Sequence, residues 1–239
     1  MSSDSSPGRI ILKLSGEFLA GDAKIGIDPK RLSRICGEIA EVKNIQIGIV
    51  IGGGNIFRGL SASQTIGFDR VNADYMGMLA TMINAIALHT EFSSQNVKSK
   101  IYSALSMPKI AVPFHRDSAL ADLEQNQILI FAGGTGNPFF STDTCAALRA
   151  AEIQADCLYK GTQVDGVYDK DPKKFTDATK FDKLTFSDAI AHQLRVMDLT
   201  ALTMCQDNQI PIQVFNISKR GNFKKALADK TFGTTIQRR

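Results

Sequence analysis

The chain's 239 residues carry 28 basic and 24 acidic side chains, a net charge of +4 that is too small and too dispersed to point to nucleic acid. A hydrophobic fraction of 44% supports a substantial core, and no apolar run approaches the roughly 20 residues of a membrane span. Cys36, Cys145, Cys157 and Cys205 lack CxxC spacing and the opening MSSDSSPG (1–8) is no secretory leader, so a soluble, reduced, cytoplasmic protein without disulfides or zinc is expected.

Residues 1–8 read as a disordered start and 9–239 as a single domain without repeats or linkers. In chain order, "RIILKLSGE" (9–17) is a short apolar run that ends in glycine, as are "IQIGIVIGGGN" (45–55) and "QILIFAGGTGN" (127–137). Runs of this kind, without polar alternation, are strands covered on both faces. Between the first two, Asp28 caps a helix opened by Pro29, with Leu32, Ile35, Ile39 and Val42 on one face. A second helix over 69–92 places Val71, Tyr75, Met78, Met82 and Ile86 along a stripe. Further helices are expected over 142–153 and 198–207, and further strands in "ADCLYKGTQ" (155–163) and "IPIQVFNIS" (210–218). The charged stretch 169–183 reads as a surface loop on the ligand-facing edge, and Lys219, Arg220, Lys224 and Lys225 as a solvated helix face. Alternation of strand and helix implies an α/β fold with a mostly parallel sheet, helices on both faces, and ligands beyond the carboxyl ends of the strands.

All three glycine-rich turns fall at such ends. Gly52, Gly53 and Gly54 in succession suggest that something comes very close to the backbone, and a turn of this kind presents N–H groups to an anion, commonly a phosphate. Lys13 stands within "IILKLSG", where an unpaired ammonium would cost several kcal/mol, so it must reach an anion or snorkel past the strand end. Arg58 follows the GGG turn closely and Lys160 ends "DCLYK", giving three cations on one edge. Asp143 and Asp198 stand near helix starts, where a carboxylate either caps the helix or orders metal and cations for phosphoryl transfer. Neither glycine turn supplies G-x-G-x-x-G, and G-x-x-x-x-G-K-[ST] is absent, which excludes a Rossmann dinucleotide site and a P-loop.

The segments "KLSGE" (13–17), "VIGGGNIFRG" (50–59), "ADYMGMLAT" (73–81), "AGGTGNPFFSTD" (132–143), "VDGVYDKDP" (164–172) and "VMDLTA" (196–201) resemble, in order, the motifs of the bacterial UMP kinases, within the amino-acid kinase superfamily. The resemblance implies a three-layer αβα sandwich and a cytoplasmic, homohexameric enzyme that transfers the γ-phosphoryl of MgATP to UMP in pyrimidine nucleotide biosynthesis. It places Lys13, Leu14, Ser15 and Gly16 on the ATP phosphates with Gly54 and Arg58, and Thr162, Tyr168 and Asp171 near the adenosine. Gly53, Asp74, Thr135, Gly136, Asn137, Pro138, Phe139, Phe140, Ser141 and Thr142 correspond to the UMP site, with Asp74 accepting from ribose hydroxyls. Lys13, Asp143, Lys160 and Asp198 correspond to the catalytic group; Mg²⁺ is carried on the phosphates, with Asp143 or Asp198 as its candidate protein ligands.

Two positions and one region depart from the pattern. Lys24 stands where the family keeps a small residue in a turn tied to GTP, so GTP activation is expected to be weak or absent, while UTP inhibition remains open; the region 89–100 is less family-like, and Ser141 replaces a common threonine while keeping the hydroxyl. Two other readings stay open: a nucleotide-sensing regulator without turnover, and a carbamate or glutamate kinase of the same superfamily.

Overall fold

The computed structural model describes residues 8–23, 25–58, 67–194 and 196–238. The expected disordered start and Lys24 therefore lie outside the described residues, except for Gly8, whose N–H donates to Asp156 Oδ2 at 2.8 Å.

The strands are β1 (Arg9–Leu14), β2 (Gln46–Ile51), β3 (Ser99–Ser103), β4 (Val112–Pro113), β5 (Ile128–Ala132), β6 (Cys157–Thr162), β7 (Val167–Tyr168), β8 (Lys180–Phe181), β9 (Lys183–Thr185), β10 (Ile212–Asn216) and β11 (Thr234–Gln237). Nine of them form one sheet in the order β4-β3-β5-β2-β1-β6-β10-β11-β9. The first seven run parallel; β11 pairs antiparallel with β10 and parallel with β9, so the last two run the other way. All five strands expected from apolar runs occupy the middle of this sheet, where both faces are covered and polar alternation is absent. The charged stretch 169–183 is a mostly exposed loop, but its end pairs β8 with β7 in a separate antiparallel ribbon.

The helices are α1 (Gly16–Ala20), α2 (Pro29–Ala40), α3 (Arg70–Ser94), α4 (Arg116–Glu124), α5 (Thr142–Glu152), α6 (Phe186–Ala191), α7 (Leu199–Asp207) and α8 (Asn222–Ala228). Alternation along β1 sorts them into two layers. Ile10, Leu12 and Leu14 pack with the buried residues of α1, α2, α3 and α8, whereas Ile11 packs with those of α4, α5, α6 and α7. The result is the three-layer αβα sandwich. Period two places Lys13 on the same side as Ile11, toward α5 and α7.

Helix α2 starts as its sequence dictates, with Asp28 Oδ1 accepting from Lys30 N at 2.8 Å and Pro29 in the first turn. The stripe expected on α3 is only half right. Met78 and Met82 are buried, but Tyr75 and Ile86 are about 40% exposed, at 39% and 40%, and with Met76, Leu79 and Ile83 they form a second, uncovered apolar face. The covered face is instead completed by Ala73, Ala85, Leu88 and Phe92. A helix apolar on two sides has no single stripe for periodicity to find.

Candidate active site

Lys13 of β1 and Lys160 of β6 are partners in the parallel register. Their ammonium groups meet one carboxylate, that of Asp143 in the first turn of α5. Lys13 Nζ lies 2.7 Å from Asp143 Oδ1, an ion contact without hydrogen-bond geometry, and Lys160 Nζ donates to Oδ2 at 2.7 Å. Lys160 also donates to the Val196 carbonyl. All three side chains are at most 15% exposed, so the anion that Lys13 was expected to need is supplied by the protein. Burial pushes the Asp143 carboxyl up, but the Lys13 and Lys160 charges overcome this and hold it at about 2. Burial also lowers the Lys160 pKa; Asp143 opposes that shift and Lys13 adds to it. The Asp198 carboxylate also acts on Lys160 in favour of its charge, so two cations and two carboxylates stand close together at this sheet edge.

Asp143 does not cap α5. Ser141 does, its Oγ accepting from the N–H groups of Asp143 at 2.9 Å and Thr144 at 3.1 Å. Asp198 is the N-cap of α7: its Oδ1 accepts from Ala201 N and Thr144 Oγ1, both at 2.9 Å, and its Oδ2 from Ser141 Oγ. This one carboxylate therefore ties the starts of α5 and α7 together. Each carboxylate oxygen of Asp143 and Asp198 thus already faces an ammonium, hydroxyl or N–H donor, and no group of three or more acidic, His or Cys side chains that could hold a metal occurs among the described residues. With each of those oxygens already engaged, the donor set does not fit a divalent cation held by these carboxylates alone.

The glycine turns do gather on one edge. Gly52 N donates to the Leu14 carbonyl at 2.9 Å, and a Cβ on Gly16 would lie 2.8 Å from Gly52 O and 2.9 Å from Gly54 N. None of Gly52, Gly53 and Gly54 has positive φ, so backbone handedness does not explain them, and at Gly52 and Gly53 close approach does. At Gly53 the approaching group is α3 itself: a Cβ there would be 2.8 Å from Ala80 Cβ and from Gly77 O. This corrects the expectation of a phosphate against that Cα. Only Gly54 has open space around it, bounded by Arg58. Arg58 pairs with Glu17 and donates to Gly54 O at 3.2 Å, holding the guanidinium over the turn. The third turn is different, because Gly133, Gly134 and Gly136 all have positive φ, between 57° and 79°.

Beyond that turn, Asp74 of α3 reaches the loop 135–142. Its Oδ2 accepts the Phe139 N–H at 2.7 Å, and Arg70 Nε donates to both of its oxygens at 2.9–3.0 Å. The Arg70 guanidinium also lies 5.4 Å from the centroid of the Phe139 ring. Thr135 Oγ1 and Asn137 exchange hydrogen bonds at 3.2 Å, while Pro138 and Thr142 complete the loop into α5.

On the other side of Lys160 lies a cavity of about 640 Å³ lined by Thr162, Tyr168, Asp171, Phe175 and Leu194 among others. It brings together the three residues expected near adenosine. Thr162 Oγ1 donates to Val164 O at 2.5 Å, the Tyr168 hydroxyl donates to Asp165 at 2.6 Å, and Asp171 Oδ1 accepts from Lys173 N at 3.0 Å. Leu14 and Ser15 stand at the junction of β1 and α1, with Ser15 the cap of α1. Arg70, Thr144 and Asn84 are contributors that the sequence reading passed over. For Arg70 the i,i+4 spacing to Asp74 was a usable signal; the others are joined to their partners only by the fold.

The model of the "Amino acid kinase family" matches residues 8–216. Among solved structures, the UMP kinase from Bacillus anthracis is similar at 36% identity and TM-score 0.93, over 98% of this chain and 97% of that one. The UMP kinase from Ureaplasma parvum shares 37% identity at TM-score 0.89, over 96% and 98%. The uridylate kinase from Archaeoglobus fulgidus shares 27% at 0.72, over 95% and 99%. With lysines on adjacent strands, glycine turns at the same sheet edge and a family match across most of its length, the chain belongs to the amino acid kinase family.

Proposed function

We propose that this protein is a UMP kinase, transferring the γ-phosphoryl group of MgATP to UMP to give UDP and ADP in pyrimidine nucleotide biosynthesis. The observation that carries this reading is the placing of the Lys13–Asp143–Lys160 cluster between a nucleoside-sized cavity and the loop that Asp74 holds. The likeness to UMP kinases over nearly the whole chain supports it. The adenosine of ATP occupies the cavity at Thr162, Tyr168 and Asp171, and its phosphates extend along residues 13–16 past Gly54 and Arg58. UMP lies against Asp74 and residues 135–142, and meets Gly53 only on the side that α3 leaves free.

A UMP phosphate oxygen attacks the γ-phosphorus in line; the new P–O bond forms as the bond to the β,γ-bridging oxygen breaks, and ADP departs with that electron pair. UMP phosphate is ionised near neutral pH, so no base is required. Lys13, with Lys160 beside it, meets the charge on the equatorial oxygens, and Asp143 keeps both cations in place. Asp198 acts through the helix starts that it joins. Mg²⁺ bound with ATP would be held by the phosphates and would supply further neutralisation of their charge.

One domain over 9–239 carries these elements. A cytoplasmic homohexamer fits the uncovered apolar face of α3, since a single helix exposing Tyr75, Met76, Leu79, Ile83 and Ile86 makes a patch usually buried against another chain. Among the described residues no helix is long and apolar enough to cross a membrane. UTP inhibition and weak GTP response are part of the same reading. Transfer of label from [γ-³²P]ATP tests it: labelled UDP should form with UMP present, and label found only as free phosphate would overturn it.

A further inference from the structure

Two buried asparagines, Asn55 at 2% and Asn84 at 0% exposure, form a reciprocal amide pair under the glycine turns. Asn84 Nδ2 donates to Asn55 Oδ1 at 2.7 Å and Asn55 Nδ2 to Asn84 Oδ1 at 3.0 Å. Each Nδ2 has one remaining hydrogen, and each gives it to a glycine carbonyl. Asn84 donates to Gly52 O and Asn55 to Gly26 O, both at 2.7 Å. The Asn55 carbonyl closes the set by accepting from Gly26 N at 2.9 Å. All four amide donors are therefore used, as burial requires.

The placement matters more than the count. The side chain of Asn55 occupies the space that a Cβ on Gly16 would need, so it packs directly against the turn that follows Lys13. Through Asn84 it is bound to α3, the helix that carries Asp74 and approaches Gly53. Asn84, by its bond to Gly52 O, fixes the second glycine turn, whose Gly52 N is in turn bonded to Leu14 O. Four segments (residues 14–16, 26, 52–55 and α3) thus converge on two side chains. An apolar pair would fill the volume without fixing the carbonyls, and directional bonds in a dry site hold positions to fractions of an ångström.

Taking the UMP kinase reading as its basis, we propose that Asn55 and Asn84 are positioning residues that hold the donor-side turns at 13–16 and 52–54 in register with each other and with the acceptor-side helix. They touch no reacting atom; they act through Gly16, Gly52 and α3. A misplacement of about 1 Å far from the chemistry can cost as much as 10²-fold in rate.

Asn84→Asp is the sharpest test, because it is isosteric and turns the Nδ2 donors toward Gly52 O and Asn55 Oδ1 into acceptors. Asn55→Asp and the double variant Asn55→Ser/Asn84→Ser accompany it, the double removing both amides so that neither is left buried without its partner. Measured well below each Tm, kcat should fall about tenfold or more in every variant, with KM for ATP and UMP changed less than about threefold. Asn55→Ser and Asn84→Ser should combine non-additively, as members of one unit do. Amide hydrogen exchange, which needs no turnover, should quicken in both turns of the folded variants. Variants that lose thermal stability but keep wild-type kcat and turn protection would reduce the pair to a structural role and overturn the proposal; so would slow turnover with unchanged exchange in the 13–16 turn. Wild-type protein that forms no UDP would contradict the UMP kinase reading, and the exchange result would still decide whether the pair orders both turns.

Discussion

Lys13 and Lys160 are register partners on adjacent parallel strands, so their ammonium groups project side by side from one face of the sheet. The carboxylate of Asp143, 2.7 Å from each, joins them, and Lys160 has the Val196 carbonyl as well. A carboxyl whose folded pKa lies below its unfolded value, here about 2 against roughly 3.9, stabilises above the unfolded value and loses that contribution as pH falls through the folded one. Asp143→Asn should therefore melt lower than wild type by an amount that is constant above about pH 5 and shrinks between roughly pH 4 and pH 2. Melting curves of both proteins over this range check it; a difference that grows on acidification would contradict the assignment.

Charge that develops in the transition state makes a separate demand on Lys13. Lys13→Met should lower kcat by roughly 10²–10³, comparable to a lost oxyanion donor, with the ATP KM much less affected. Steady-state kinetics on folded protein separate this from simple anchoring, in which KM would rise and kcat would be preserved.

The acceptor side is tested at Asp74. Its carboxylate already holds the Phe139 N–H and Arg70, so Asp74→Asn weakens both the loop and the acceptor for ribose hydroxyls. A charge-assisted bond is worth roughly 1.5–3 kcal/mol, and the UMP KM should rise well over tenfold while the ATP KM barely moves. Equal rises in both would place Asp74 outside the acceptor site.

The exposed face of α3 predicts association. Leu79 and Ile83 are 46% and 50% exposed on the same side of that helix, and Leu79→Glu with Ile83→Glu should split the assembly without unfolding the subunit. Sedimentation velocity reads the change, and a wild-type protein that sediments as a monomer would remove the hexamer from the account.

What was legible in the sequence follows from these particulars. The central strands were, because "ILKL", "IGIVI" and "ILIFA" are continuous apolar runs between clear breaks. The outer strands β9 "KLT" and β11 "TTIQ" are short and polar, and α4 has no marked apolar side; none announces itself locally. Lys13 was conspicuous as a charge in an apolar strand, but its partner lies 130 positions away, on a helix whose start made Asp143 look like a cap. The triple glycine signalled close approach, but the packing of α3 that supplies it at Gly53 leaves no local trace. The Asn55–Asn84 pair, 29 residues apart, is invisible until the fold brings the two amides together.

The central claim is transfer from ATP to a nucleoside monophosphate, and the most direct measurement is kcat/KM for ADP release with MgATP across UMP, CMP, dUMP, carbamate and glutamate. A site that pairs Asp74 and the 135–142 loop with the Lys13–Asp143–Lys160 cluster predicts the highest value for UMP, lower values for CMP and for dUMP, which lacks a ribose hydroxyl, and none above background for the two small acids. Carbamate or glutamate as the preferred acceptor would contradict it.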